Sequence, residues 1–160
     1  MCTKDHITNE QLLKVYEQRS TCSRMQVAAV IVKEGRVIAS GWNGVPPGAK
    51  HCDDHFNQRF LEVGHHSNFH EEHGQFSLHN EVHAETNAIG FAAKHGIATA
   101  DADLYCTFTP CLPCAKQIQA AGIKAVYYTN VYDRDPDGGI NFLKKHGIPA
   151  IKLSELIPTP

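Results

Sequence analysis

The chain has 160 residues, a net charge of −2 at neutral pH and 42% hydrophobic residues, enough for one domain (1–160) to bury a core without staples. The mild acidity excludes the basic field that general nucleic-acid binding uses, which favours a small substrate, and no apolar run is long enough to span a bilayer. The start of the chain does not join basic residues to an apolar stretch, and two of the six cysteines are claimed by the metal motif below, so a cytoplasmic protein with reduced thiols is expected.

In chain order, Thr8 and Gln11 resemble a capping box, and Leu12, Leu13, Val15 and Tyr16 form an apolar stripe, predicting a first helix to about Arg19. Gln26 to Lys33 is a β-branched run, Glu34-Gly35 turns it, and Arg36 to Ser40 continues as a second strand of a hairpin. Gly41 to Asn80 holds Gly, Pro, Asn and clustered His without a sustained period, and reads as a long irregular insertion of the kind that carries function. Glu81 to His95 is helical, closed by Gly96. A strand at Asp103 to Phe108, a helix at Cys111 to Ala121, a strand at Ala125 to Thr129, a helix at Asn141 to His146 and a strand around Ala150 to Leu153 complete the chain. The alternation predicts an α/β fold in three α/β/α layers around a mixed, mostly parallel sheet of five strands.

Two short motifs carry chemistry. His83-Ala84-Glu85 opens one predicted helix and Pro110-Cys111-Leu112-Pro113-Cys114 opens another. One imidazole and two thiolates make the three-donor set of a catalytic zinc, which leaves a fourth position for water. Cysteines three apart at a helix start project their sulfurs from one face, where the helix dipole favours the deprotonated form, and proline is tolerated in that first turn. A structural zinc normally closes its shell with a fourth Cys or His. Beside His83 stands instead a carboxylate, Glu85, suited to moving a proton from a zinc-activated water.

His-x-Glu followed by Pro-Cys-x-x-Cys is the pattern of zinc deaminases, and the wider chain resembles one branch of the cytidine deaminase superfamily, the deoxycytidylate (dCMP) deaminases. The resemblance runs from about Cys22 to Gly147 through Gln26-Val27-Ala28-Ala29-Val30-Ile31, Gly41-Trp42-Asn43-Gly44-Val45-Pro46-Pro47-Gly48, a His/Cys-rich insertion and His83-Ala84-Glu85-Thr86-Asn87-Ala88-Ile89. Trp42 stands where that branch usually has tyrosine, which bears on the packing beside Asn43. The resemblance implies a cytidine-deaminase-like fold and attack of an activated water on C4 of cytosine, with Glu85 protonating N3 and then the departing amine. It implies that Asn43, with Ala84, contacts the sugar and base. It places Arg24 at the phosphate, and Arg134 beside Tyr132 is a second candidate, because a phosphate needs a planar multidentate donor. Five histidines crowd between His65 and His79, and the matching positions imply a second, structural zinc on Cys22, Cys52, His73 and Glu81 that staples the insertion. A hexamer, activation by dCTP with Mg2+, inhibition by dTTP near Gly44 and possible use of dCTP as a further substrate are implied in the same way.

Two other classes compete. A relative acting on RNA, a free base or a nucleoside would be expected to differ in surface charge or in the insertion; a zinc-stabilised nucleotide sensor without turnover would have no use for Glu85.

Overall fold

The computed structural model describes residues 2–64 and 69–158. His65 and His66 of the histidine-rich stretch lie outside the described residues. The first helix, α1 (Thr3–Tyr16), begins earlier than the Thr8 signal suggests. The Cys2 amide donates to Asp5 Oδ2 at 2.8 Å, which caps the helix, while the Thr8 hydroxyl donates back to the Lys4 carbonyl at 2.9 Å inside it.

Strands β1 (Ala28–Lys33) and β2 (Arg36–Trp42) form the expected hairpin. Its two-residue turn puts both Glu34 (φ 52°) and Gly35 (φ 74°) in the left-handed region, the requirement of a type I′ turn. The expectation of an irregular insertion is corrected. Between Gly41 and Asn80 lie two helices, α2 (Cys52–Val63) and α3 (Phe69–Asn80). They pack around a small aromatic core in which Phe56 meets Phe69 edge-on at 4.9 Å and Phe76 at 5.5 Å. The remaining elements are α4 (Ala84–Lys94), β3 (Asp103–Phe108), α5 (Leu112–Ala120), β4 (Ala125–Asn130), α6 (Gly138–Lys145) and β5 (Ala150–Lys152).

The sheet order is β2-β1-β3-β4-β5. β1 runs antiparallel to both β2 and β3, and β3, β4 and β5 are parallel, so the sheet is evenly mixed rather than mostly parallel. Strand alternation then separates two faces. Ala29, Ile31, Leu104 and Cys106 point to one face and are covered by α4, α5 and α6 through Ala84, Ala88, Ala92, Ala115, Ile118 and Leu143. Ala28, Val30, Val32 and Tyr105 point to the other and meet Leu13 of α1 and Leu153. Small side chains let α4 lie directly on the hairpin: a Cβ on Gly41 would stand 2.3 Å from the Ala84 carbonyl oxygen and 2.4 Å from the Ala88 amide nitrogen. That contact fixes where the start of α4, and hence His83 and Glu85, sits relative to the end of β2. Among the described residues no helix is long and apolar enough to cross a membrane.

Candidate metal centre and active-site cleft

His83 is the N-cap of α4 and Cys111 the N-cap of α5, with Cys114 three residues on in the first turn. The two helix starts face each other. His83 Nδ1 lies 3.5 Å from Cys111 Sγ and 3.4 Å from Cys114 Sγ, and the three donor atoms all fall within 4.8 Å of one another. Ligand lengths of about 2.1 Å for nitrogen and 2.3 Å for sulfur put the edges of a tetrahedral zinc shell near 3.5 Å. The donor set and its spacing therefore fit zinc. The Cys111 thiol is pulled down to about 4, foremost by the Cys114 thiol and with help from His83 and the Cys114 amide, while Cys114, the donor of that pair, is pushed up. The hydrogen bond to Cys111 in turn raises His83. Thr86 Oγ1 lies 3.8 Å from Cys114 Sγ.

Glu85 lies in the first turn of α4, two residues after His83, and is 5% exposed. Burial raises its carboxyl from the ordinary carboxylate value. It is not one of the three clustered donors. Glu85, His83 and Cys111 line a cleft of about 290 Å³, the small end of the range for ligand sites.

Every residue expected at the substrate falls on that cleft: Asn43, Arg24, Ala84, Tyr132 and Arg134. Asn43 is buried, and its amide already works for the backbone, with Oδ1 accepting from the Val27 amide and Nδ2 donating to the Met25 carbonyl, each at 2.8 Å. One lone pair and one N–H remain for a ligand. Beside it, Trp42 stacks parallel to Tyr16 at 6.3 Å, and the Arg19 guanidinium lies 4.5 Å over its ring, so the larger indole is packed rather than loose. The two arginines are exposed at the rim, and both lean on α3: Arg24 Nη1 donates to the His70 carbonyl at 3.5 Å, and a Cβ on Gly74 would stand 3.9 Å from Arg134 Nη1. The Tyr132 amide donates to Thr109 Oγ1 at 2.9 Å, which anchors its loop. Gly44 does not line the cleft. It exchanges backbone hydrogen bonds with Val82, at 3.2 and 2.8 Å, and closes the neck of the insertion.

A second set of soft donors sits under α3. Cys22, Cys52 and His73 are buried, with His73 Nε2 at 3.4 Å from Cys22 Sγ and 3.2 Å from Cys52 Sγ. The Cys22 thiol is lowered to about 4, foremost by the Cys52 thiol, which is itself raised. Glu81 is outside that close trio, but Ser77 donates to its Oε2 at 2.7 Å while Oε1 is buried without a hydrogen-bond partner among the described residues. Burial, and then the Cys22 charge, raise this carboxyl. An orphaned carboxylate oxygen beside two thiols and an imidazole fits a cation.

Sequence reasoning missed Thr86, Thr109, Asn87 and Asp135. Asn87 Nδ2 donates to the Trp42 carbonyl at 2.7 Å and so ties α4 to the strand end that bears Asn43. Asp135 accepts from the Leu112 amide at 2.7 Å at the start of the α5 helix. No spacing signal marks either, because each partner is more than twenty residues away in the chain.

Three soft donors at paired helix starts, open to a cleft that also holds a buried carboxyl, define a zinc hydrolytic centre on an α/β/α layered fold. Residues 3–130 match the cytidine and deoxycytidylate deaminase zinc-binding region, and the chain belongs to that family. It is 33% identical to the deoxycytidylate deaminase of Enterobacteria phage T2 over 91% of this chain and 90% of that one. It is 33% identical to the deoxycytidylate deaminase of Saccharomyces cerevisiae over 90% of this chain and 43% of that longer protein. Among solved structures, the dCMP deaminase of cyanophage S-TIM5 in complex with dCMP and dUMP superposes with a TM-score of 0.75 at 35% identity, covering 95% of this chain and 98% of that one.

Proposed function

We propose that this chain, acting as one catalytic unit over its 160 residues, hydrolyses dCMP to dUMP and ammonia. The observation that carries the reading is a cleft that holds Glu85 with His83 and Cys111, two of the three clustered donors, and whose rim holds Arg24 and Arg134. The relatives and the dCMP-bound neighbour support the choice of substrate.

His83, Cys111 and Cys114 would hold a zinc ion, which would supply a water of lowered pKa, near 7. The protein does the rest. Glu85 would hold the proton that goes to N3 as water adds at C4, and then the proton that goes to the amine, which leaves as ammonia when the C4–N bond breaks. Electrons and protons balance without a co-reactant. Asn43, with its remaining donor and acceptor, and the Ala84 backbone at the start of α4 orient the pyrimidine and sugar. Arg24, Arg134 and Tyr132 receive the phosphate, for which the planar guanidinium is suited.

The same reading includes a structural zinc on Cys22, Cys52 and His73 with Glu81, supported by the orphaned Glu81 oxygen. Cytoplasmic location, a hexamer, some turnover of dCTP, and regulation by dCTP with Mg2+ and by dTTP around Gly44 also belong to it; the support for these is the family resemblance. Ammonia release from dCMP, dCTP, deoxycytidine and cytidine in parallel, with and without dCTP as effector, tests the reading. dCMP should lead. A preference for cytidine, or no release from any of the four, would overturn it.

A further inference from the structure

We propose that Asp135 is a positioning residue that clamps the loop bearing Tyr132 and Arg134 to the zinc end of α5, so that the phosphate end of the cleft and the metal shell keep a fixed separation. The inference rests on the proposed nucleotide reading for the role of that loop, and on geometry alone for the clamp.

The start of α5 has few free donors, and each is accounted for. Leu112 N–H goes to Asp135 Oδ2 at 2.7 Å, Pro113 has no N–H, the Cys114 amide turns to the Cys111 sulfur, and the Ala115 amide donates to the Cys111 carbonyl at 2.9 Å. Asp135 thus holds the peptide that joins Cys111 to Leu112. Its other oxygen, Oδ1, accepts from the Gly138 amide at 2.9 Å, and its own amide donates to the Tyr132 carbonyl at 3.2 Å. One half-buried side chain therefore touches the zinc helix, the start of α6 and, through the backbone, the loop of the candidate phosphate residues. The surroundings leave no slack. A Cβ on Gly138 would run into Asp135 Oδ1 at 2.2 Å, and one on Gly139 would lie 1.8 Å from the Pro110 carbonyl oxygen, so α6 starts directly against Pro110 and Cys111. Groups that hold metal ligands from behind typically change metal affinity 10- to 100-fold when removed.

The test uses zinc-loaded wild type, Asp135→Ala, Asp135→Asn and the neighbouring control Asp137→Ala, whose native side chain makes no cap hydrogen bond. Zinc transfer to a chromogenic chelator is followed in time, the catalytic phase being the one missing in His83→Ala, and binding of dUMP and deoxyuridine is measured by calorimetry. Asp135→Ala should release catalytic zinc about 10- to 100-fold faster. It should also lose about tenfold in dUMP affinity with little change for deoxyuridine, a phosphate-specific effect of roughly one contact's size. Asp135→Asn, with one acceptor oxygen for two amides, should fall between, and Asp137→Ala should match wild type. A merely structural Asp135 would lower the melting temperature and move neither readout. Catalytic zinc release within twofold of wild type in Asp135→Ala overturns the clamp; should that variant not fold, the same result in Asp135→Asn does so. Wild type that binds no dUMP sinks the nucleotide reading instead, and the zinc measurement still decides the clamp.

Discussion

Glu85 is useful because it is buried beside the metal donors without being one of them. In the proposed reaction its carboxyl, raised by burial, takes a proton and hands it on. Glu85→Gln should therefore keep its zinc and its melting temperature while kcat falls by about 10² to 10⁴, the usual share of a general acid–base group. Ammonia release read against metal content checks this, and a variant that deaminates like wild type removes the proton-carrier role. At this scale the metal centre was legible because its information is local: Cys111 and Cys114 share one helix turn, and Glu85 is two residues from His83. Thr86 and Asp135 were not, since a threonine after a glutamate or an aspartate before a proline looks the same whether or not a sulfur or a distant amide lies opposite.

Elements meet at two points that single substitutions expose. Gly41 is the seat of α4 on the hairpin, and Gly41→Ala would force the helix backbone away from β2. Overpacking of this kind costs about 1–3 kcal/mol, and because the helix bears both His83 and Glu85, kcat should drop along with the melting temperature; a variant equal to wild type in both would show that the seat yields freely. On the opposite face α1 docks through His6, whose Nδ1 shares a 2.9 Å hydrogen bond with the Tyr105 hydroxyl and whose ring lies 4.9 Å from Tyr127. Burial lowers its pKa below the ordinary 6.5. The unfolded chain then binds this proton at a higher pH than the folded one, so the stability contribution is whole above about 6.5 and is lost as pH falls through the lowered value. Melting temperature measured from pH 7.5 down to 5 should decline less steeply in His6→Gln than in wild type, and parallel curves would exclude His6 as the cause. The hairpin, the helix after His83 and the later strands and helices were readable from turns and periodicity. The true start of α1 was not, because Cys2 with Asp5 lacks the signature of a cap, and α2 and α3 were hidden because their apolar stripe is a handful of phenylalanines wrapped around thiols and an imidazole.

At the scale of the whole molecule, the insertion has a small apolar core, Phe56 and Phe69 with Cys22 and Cys52, and it supplies the wall against which both rim arginines rest. A cation on Cys22, Cys52 and His73 would join three separate segments, the approach to β1, the first turn of α2 and the middle of α3, at one point. Binding energy available only to the folded arrangement adds directly to its stability, about 4 kcal/mol when free metal exceeds the dissociation constant a thousandfold. Cys52→Ser is then expected to lose one equivalent of zinc while the sheet stays intact. Backbone amides of 52–63 and 69–80 should lose protection from hydrogen exchange, those of β1 and β3 should keep it, and KM for dCMP should rise about tenfold as Arg24 and Arg134 lose their backing, with a smaller change in kcat because His83, Cys111 and Glu85 stand on other elements. Exchange protection in α2 and α3 unchanged by the substitution would mean that the aromatic cluster alone holds the insertion, and the phosphate end of the cleft would then owe nothing to a second metal.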